Sequence, residues 1–275
     1  MPAIITNKFR LNNAEQFSES FSETANNKYY LGIGRPQPYG TLTRPDGRTD
    51  FEGTDSAPIT PGDTVVREFY TYDDLVAAKR VQSSDISFVI PRRNWVSGTV
   101  YDTYRHDYGE FITGSTTTRQ TANSTASNLN DATYYVLTTA RNVYKCLDNN
   151  NNSASTSEPT GTGQNPITTA DSYIWKYMFT MSASAQANFL STDFMGVSSN
   201  STISNNATDG DLNVIKIKAP GTGGSNGTFT GIPVRGDGTG GTCSVTISSG
   251  SVTAVSATGT PTGYSFAYVR VADIN

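Results

Sequence analysis

The chain has 275 residues, 35% of them hydrophobic and only 16% charged, with a formal net charge of −4. That length suffices for one large domain or two smaller ones with a genuine core. The slightly acidic balance, without any run of Lys or Arg, argues against a protein that grips nucleic acid through its phosphates, and no apolar stretch reaches the ~18 residues of a membrane-crossing helix.

In chain order, residues 14–21 predict a short helix capped by Asn12 or Asn13, with Phe17 and Phe21 four apart on one face. Residues 28–33 read as a strand that ends at Gly34 and the prolines Pro36 and Pro38. Residues 40–62 read as loop, with a turn at Arg44-Pro45-Asp46-Gly47. Residues 71–81 predict a helix, because Asp73 and Asp74 suit its first turn and Lys79 and Arg80 its last. Residues 85–90, 134–137 and 143–147 predict strands. The run 173–181, almost wholly apolar or aromatic, predicts a strand covered on both faces, with a neighbouring subunit as a candidate cover. A helix over 183–190 follows, capped by Ser182.

Two polar low-complexity stretches, 114–130 and 149–170, cannot bury enough apolar surface to order themselves and predict extended loops or arms. Beyond Asp211 the texture changes: strands over 212–218, 232–235, 243–247, 252–255 and 265–271 are separated by glycine-rich turns, with Ser249-Gly250 a hairpin turn. Tyr (15) and Phe (12) outnumber Trp (2), which suits pleated surfaces. The expected fold is therefore mainly β with a few short helices (α+β): antiparallel sheets around a sandwich-like core, long polar loops and a C-terminal Gly-rich β-module. The expected division is a β-rich core over 1–218, with 91–210 as a possible second subdomain, and a small module over 219–275 that is truncated at its C-terminus.

Candidate chemistry is sparse. The single histidine, His106, has Asp107 beside it, but sequence-adjacent His and Asp rarely point at each other and no nucleophile elbow is present. Cys146 and Cys243 are too few for a structural zinc site and read as free thiols. Residues 236–241 satisfy G-x-G-x-x-G, yet a strand rather than a helix follows, which makes them a tight turn instead of a pyrophosphate cradle. Asp46 with Asp50, and Asp209 with Asp211, lack calcium-loop spacing. Asp63, Glu68, Asp73 and Asp74 could pair as acid and base only if the fold brings them together. Expected catalytic, cofactor and metal sites are none. Arg92, Arg93 and Trp95, directly after an apolar strand, have the composition of an interaction hot spot, and Tyr173, Trp175, Tyr177 and Phe179 join them as interface candidates.

Five strings bear on family: Ala3-Ile4-Ile5-Thr6-Asn7-Lys8-Phe9-Arg10, Gly32-Ile33-Gly34-Arg35-Pro36-Gln37-Pro38, Phe88-Val89-Ile90-Pro91-Arg92-Arg93-Asn94-Trp95, Val143-Tyr144-Lys145-Cys146-Leu147 and Tyr173-Ile174-Trp175-Lys176-Tyr177-Met178-Phe179. In this order and spacing they resemble the gene-8-type baseplate wedge subunit of T-even-like contractile-tailed phages, as far as about Lys218. The resemblance implies a virion protein of the tail baseplate, made in the host cytoplasm. It further implies that the subunit dimerises, contacts other wedge proteins and helps pass the signal for sheath contraction. It implies no enzyme activity, cofactor, nucleic acid or membrane. The glycine-rich module departs from the family pattern. The rival expectation is a carbohydrate- or receptor-binding tail protein, because Tyr-rich β-modules with Gly/Ser/Thr loops also bind glycans.

Overall fold

The computed structural model describes residues 7–23, 28–34, 56–57, 64–65, 75–105, 108–113, 116–120, 122–217 and 220–274, and the chain divides into two units, Met1–Phe88 and Val89–Asn275. In the first unit, helix α1 (Asn7–Ser20) begins earlier than the cap at Asn12 or Asn13 predicts. Both asparagines are exposed within it, so they bring a propensity cost but bury no polar group. Phe17, Phe21 and Tyr29 meet edge to face or tilted, with ring centroids 4.4–5.6 Å apart, and tie α1 to strand β1 (Tyr29–Gly34).

Strand β1 pairs antiparallel with β2 (Leu75–Val81), which corrects the helix expected over 71–81. Helix propensity at Ala77 and Ala78 is worth only tenths of a kcal/mol over neighbouring residue types, and a ladder partner outweighs it. Lys79 turns instead onto Asp85 (2.7 Å) in the 3-10 turn Ser83–Asp85, so only the end of the strand expected over 85–90 forms, as β3 (Val89–Pro91).

The second unit is built on a four-stranded antiparallel sheet in the order β6-β7-β9-β8: β6 (Tyr135–Leu137), β7 (Asn142–Asp148), β9 (Ile174–Thr180) and β8 (Ile167–Thr168). Residues 93–95 extend it at the β6 edge: Trp95 N donates to Leu137 O (2.9 Å) and Leu137 N to Arg93 O (2.7 Å), a parallel bridge. On one face Tyr101, Val136, Tyr144, Cys146, Tyr173, Trp175 and Tyr177 form an aromatic core, flanked by Trp95. On the other, Tyr135, Leu137, Val143, Phe179 and Met181 pack with Met195 of β10 (Phe194–Gly196). A bulge opposite Val143/Tyr144 lets Phe179 join this second cluster although Trp175 and Tyr177 belong to the first. Helix α2 (Ala183–Phe189) adds Ala185 to the same face, and its N-cap is Ser182, which accepts from Ala185 N (3.1 Å).

The polar loops are more ordered than their composition suggests. Within 114–130, strand β5 (Thr116–Gln120) closes a hairpin with β4 (Gly109–Thr113). Residues 122–133 are then gathered by buried Asp102, whose carboxylate accepts from Ser124 N and Oγ and from Thr133 N (2.7 Å) and Oγ1 (3.0 Å). In 149–170, the Asp171 carboxylate accepts from Ser155 Oγ (2.9 Å), Thr156 N (2.7 Å), Ser157 N (3.0 Å) and the Thr169 hydroxyl. Core tyrosines bolt this loop from below: Tyr144 donates to Gly161 O (2.6 Å) and Tyr173 to Ser153 O. Carboxylate and phenol hydrogen bonds thus replace the apolar burial that the loops lack.

The C-terminal module contains the antiparallel sheet β11-β13-β14: β11 (Gly227–Pro233), β13 (Thr239–Ser248) and β14 (Ser251–Thr262). A small ribbon of β12 (Arg235–Gly236) and β15 (Ala267–Tyr268) completes it. Residues 212–217 form no strand, which corrects the expectation there: Leu212 and Ile215 pack on the core of Ile232, Val234, Cys243, Val245 and Ile274 without a ladder partner. The turn at Ser249-Gly250 holds both residues at positive φ (53° and 78°), as a two-residue hairpin with the strands' right-handed twist requires.

Candidate interaction surface

The glycine run at 236–241 holds a side chain, not a phosphate. A Cβ on Gly238 would collide with ring carbons of Tyr264, whose hydroxyl donates to Val234 O (3.0 Å). Asp237, in the same run, accepts from Ser265 and Phe266, which holds its carboxyl down at about 2. Strand β13 starts at Thr239, so no helix N-terminus faces the glycines.

Among the described residues no group of three or more His, Cys, Asp or Glu is placed to hold a metal ion. Cys146 and Cys243 are both buried free thiols; burial, and then Asp148, push the Cys146 thiol far above its ordinary range, away from nucleophilic chemistry. Burial alone would raise Asp102 and Asp171, but their hydrogen bonds prevail: Asp102 is lowered, and Asp171 falls to about 2. Both act as fixed acceptors, a structural duty. His106, Asp107, the carboxylates Asp46, Asp50, Asp63, Glu68, Asp73 and Asp74, the prolines Pro36 and Pro38, and the turn at 44–47 lie outside the described residues.

The interface candidates separate into two groups. Tyr173, Trp175, Tyr177 and Phe179 have their side chains in the chain's own core; Trp175, fully buried, stacks on Tyr173 with centroids 5.5 Å apart. The covering of β9 on both faces is thus supplied by this chain's own elements at those positions. Arg92, Arg93 and Trp95 are half-buried and knit local structure. Arg92 reaches Ser191 O (2.8 Å) and Asn94 Oδ1 (3.0 Å), Arg93 reaches Asp131 O (3.1 Å), and Trp95 Nε1 donates to Ser155 Oγ (3.1 Å).

Composition alone does not single out the apolar surface that remains. The β3–β10 ribbon turns Ile90 and Met195 inward, while the alternate positions Val89 (46% exposed) and Phe194 (50% exposed) face out. In the first unit Leu31, Ile33 and Val76 are exposed on the β1–β2 ribbon, and Phe9 and Leu11 on α1. Two-stranded ribbons with apolar residues open to water are marginal alone and suit burial against other proteins.

Carboxylates that gather loops, buried thiols and apolar residues exposed on two ribbons are features that suit a structural assembly protein. The family model described as Bacteriophage T4, Gp8 matches residues 3–156, more than half of the chain. The chain belongs to this family of phage tail baseplate wedge proteins, and is a virion component of the baseplate. No curated protein matches it. No helix among the described residues is long and apolar enough to cross a membrane.

Proposed function

We propose that the chain is a non-catalytic connector of the baseplate wedge, joining neighbouring wedge proteins, pairing with a second copy of itself, and moving with them in the rearrangement that triggers sheath contraction. The observation that carries this reading is the family match over residues 3–156, and it is supported by the apolar residues left exposed on β1–β2 and β3–β10. A connector needs surface to bury, on the order of 2,000 Å² for a permanent interface, rather than a cleft of tuned acids and bases. Val89, Phe194 and the exposed flanks of Arg92 and Arg93 form one contact region of this reading, with the aromatic core of β9 as its rigid support. The Gly-rich residues after 219, packed with Leu212 and Ile215, form an appended module on the wedge core.

Cross-linking mass spectrometry on purified intact particles tests the proposal. Links from this chain to itself and to other wedge proteins, at a fixed copy number, are the expected result. Absence from the baseplate, or links to peripheral fibres alone, would overturn it in favour of a receptor-binding role.

A further inference from the structure

The sheet carries a row of cations that have no counter-charge among the described residues. Tyr135, Lys145 and Lys176 stand directly opposite one another across β6, β7 and β9, so their side chains share one face. The Arg93 guanidinium lies over the Tyr135 ring at 5.1 Å, and Lys145 Nζ lies over the exposed Tyr104 ring at 4.3 Å. Tyr104 in turn meets Tyr134, and Tyr134 meets Tyr135, at 5.3 and 5.2 Å between centroids. Among the described residues none of Arg93, Lys145 and Lys176 forms an ion pair, although the chain is net acidic. Arg93 Nη1 is buried without an acceptor among the described residues. Like charges directly opposite in an antiparallel pair destabilise a sheet. Burial, and then the neighbouring Lys176, push the Lys145 pKa down, as expected for an ammonium short of counter-charge.

We infer that the Arg93–Lys145–Lys176 row, with Tyr104 as its rim, is the docking surface for an acidic segment of a different baseplate protein, one that lays Asp or Glu carboxylates along the row. Charge complementarity selects the occupant. A second copy placed on the same patch by a two-fold axis would bring cations against cations, so self-pairing uses other surface. Strand neighbours stand ~4.8 Å apart, so carboxylates on alternate residues of an extended segment, ~6.8 Å apart, can each reach a separate cation. The half-buried setting strengthens each contact relative to one in open water.

This inference rests on the wedge reading, and the experiment separates the two. Intact particles are treated with a zero-length carbodiimide, which joins amines to carboxylates, and in parallel with an amine-acetylating reagent. Lys145 or Lys176 is expected to cross-link to an Asp or Glu of another baseplate protein, and both amines are expected to be protected from acetylation in particles but not in the isolated chain. Lys176→Gln, which leaves the Lys145–Tyr104 contact in place, should keep or raise Tm in isolation and lower incorporation into baseplates about tenfold. If other residues of the chain link to wedge proteins while both lysines remain reactive, the row is not a docking surface although the wedge reading stands. Links only to a second copy, or full incorporation of Lys176→Gln, would equally overturn it. If the wild-type chain is absent from baseplates, both readings fall.

Discussion

Replacing Asp102 with Asn tests whether single carboxylates order the polar loops. Asp102 is 1% exposed and receives two backbone N–H groups and two hydroxyls from Ser124 and Thr133. The Asn side chain has the same shape but exchanges one acceptor oxygen for an NH2 donor. The hydroxyls can rotate to accept from it; the backbone N–H groups cannot, so at least one is left facing a donor. An orphaned buried N–H costs about 1–3 kcal/mol, and loss of charge on the remaining bonds adds roughly 1, giving a destabilisation of about 2–4 kcal/mol. Urea unfolding followed by the fluorescence of Trp95 and Trp175, the two tryptophans and both at the adjoining core, reads this directly. Amide exchange should accelerate over 122–133 first. The sign with pH follows from the lowered carboxyls: Asp102 lies below its ordinary value and Asp171 at about 2 in the folded chain, against ~3.9 unfolded. Both contributions are present above about pH 4 and are lost as pH falls through the lowered folded values, which for Asp171 is about 2. The variant should show a shallower acid loss than the wild type. An unchanged urea midpoint, within about 0.5 kcal/mol, together with an unchanged acid limb would refute the hub account.

Core and surface aromatics should separate cleanly. Trp175→Ala, in the packed core, should cost about 3–5 kcal/mol in unfolding free energy. Phe194→Ser, at an exposed ribbon position, should change isolated stability by no more than about 0.5 kcal/mol yet reduce baseplate incorporation; a folded, fully incorporated variant would remove Phe194 from the contact surface. Ser249→Asn places the preferred Asn-Gly pair in the positive-φ turn of β13–β14 and should raise Tm by a few degrees, read by thermal unfolding. Both cysteines are buried free thiols, so Ellman's reagent should find no fast-reacting thiol in the native chain and both after denaturation. No thiol in the denatured, unreduced chain would mean a disulfide.

Periodicity and turn chemistry determined much of the local structure. Strands β1, β6, β7, β9 and β13 fall where alternating or continuous apolar runs with β-branched and aromatic residues predict them. The Ser182 cap and the Ser249-Gly250 turn follow from single residue types, and the ordered strings point to the family that the comparison shows. The helix expected over 71–81 illustrates the opposite case: charges at its ends suit a helix dipole, but pairing of β2 with β1, more than forty residues upstream, decided the outcome. Tertiary structure alone also decided which face each aromatic occupies. A bulge in the ladder moves Phe179 off the face of Trp175, and no local pattern encodes a bulge formed with a partner strand. The cation row arises the same way, since Lys145 and Lys176 become neighbours only once β7 and β9 pair. Likewise Asp102 and Asp171 look like ordinary loop carboxylates until the fold encloses them, because hydrogen-bond partners distant in sequence exist only after the chain has closed on itself.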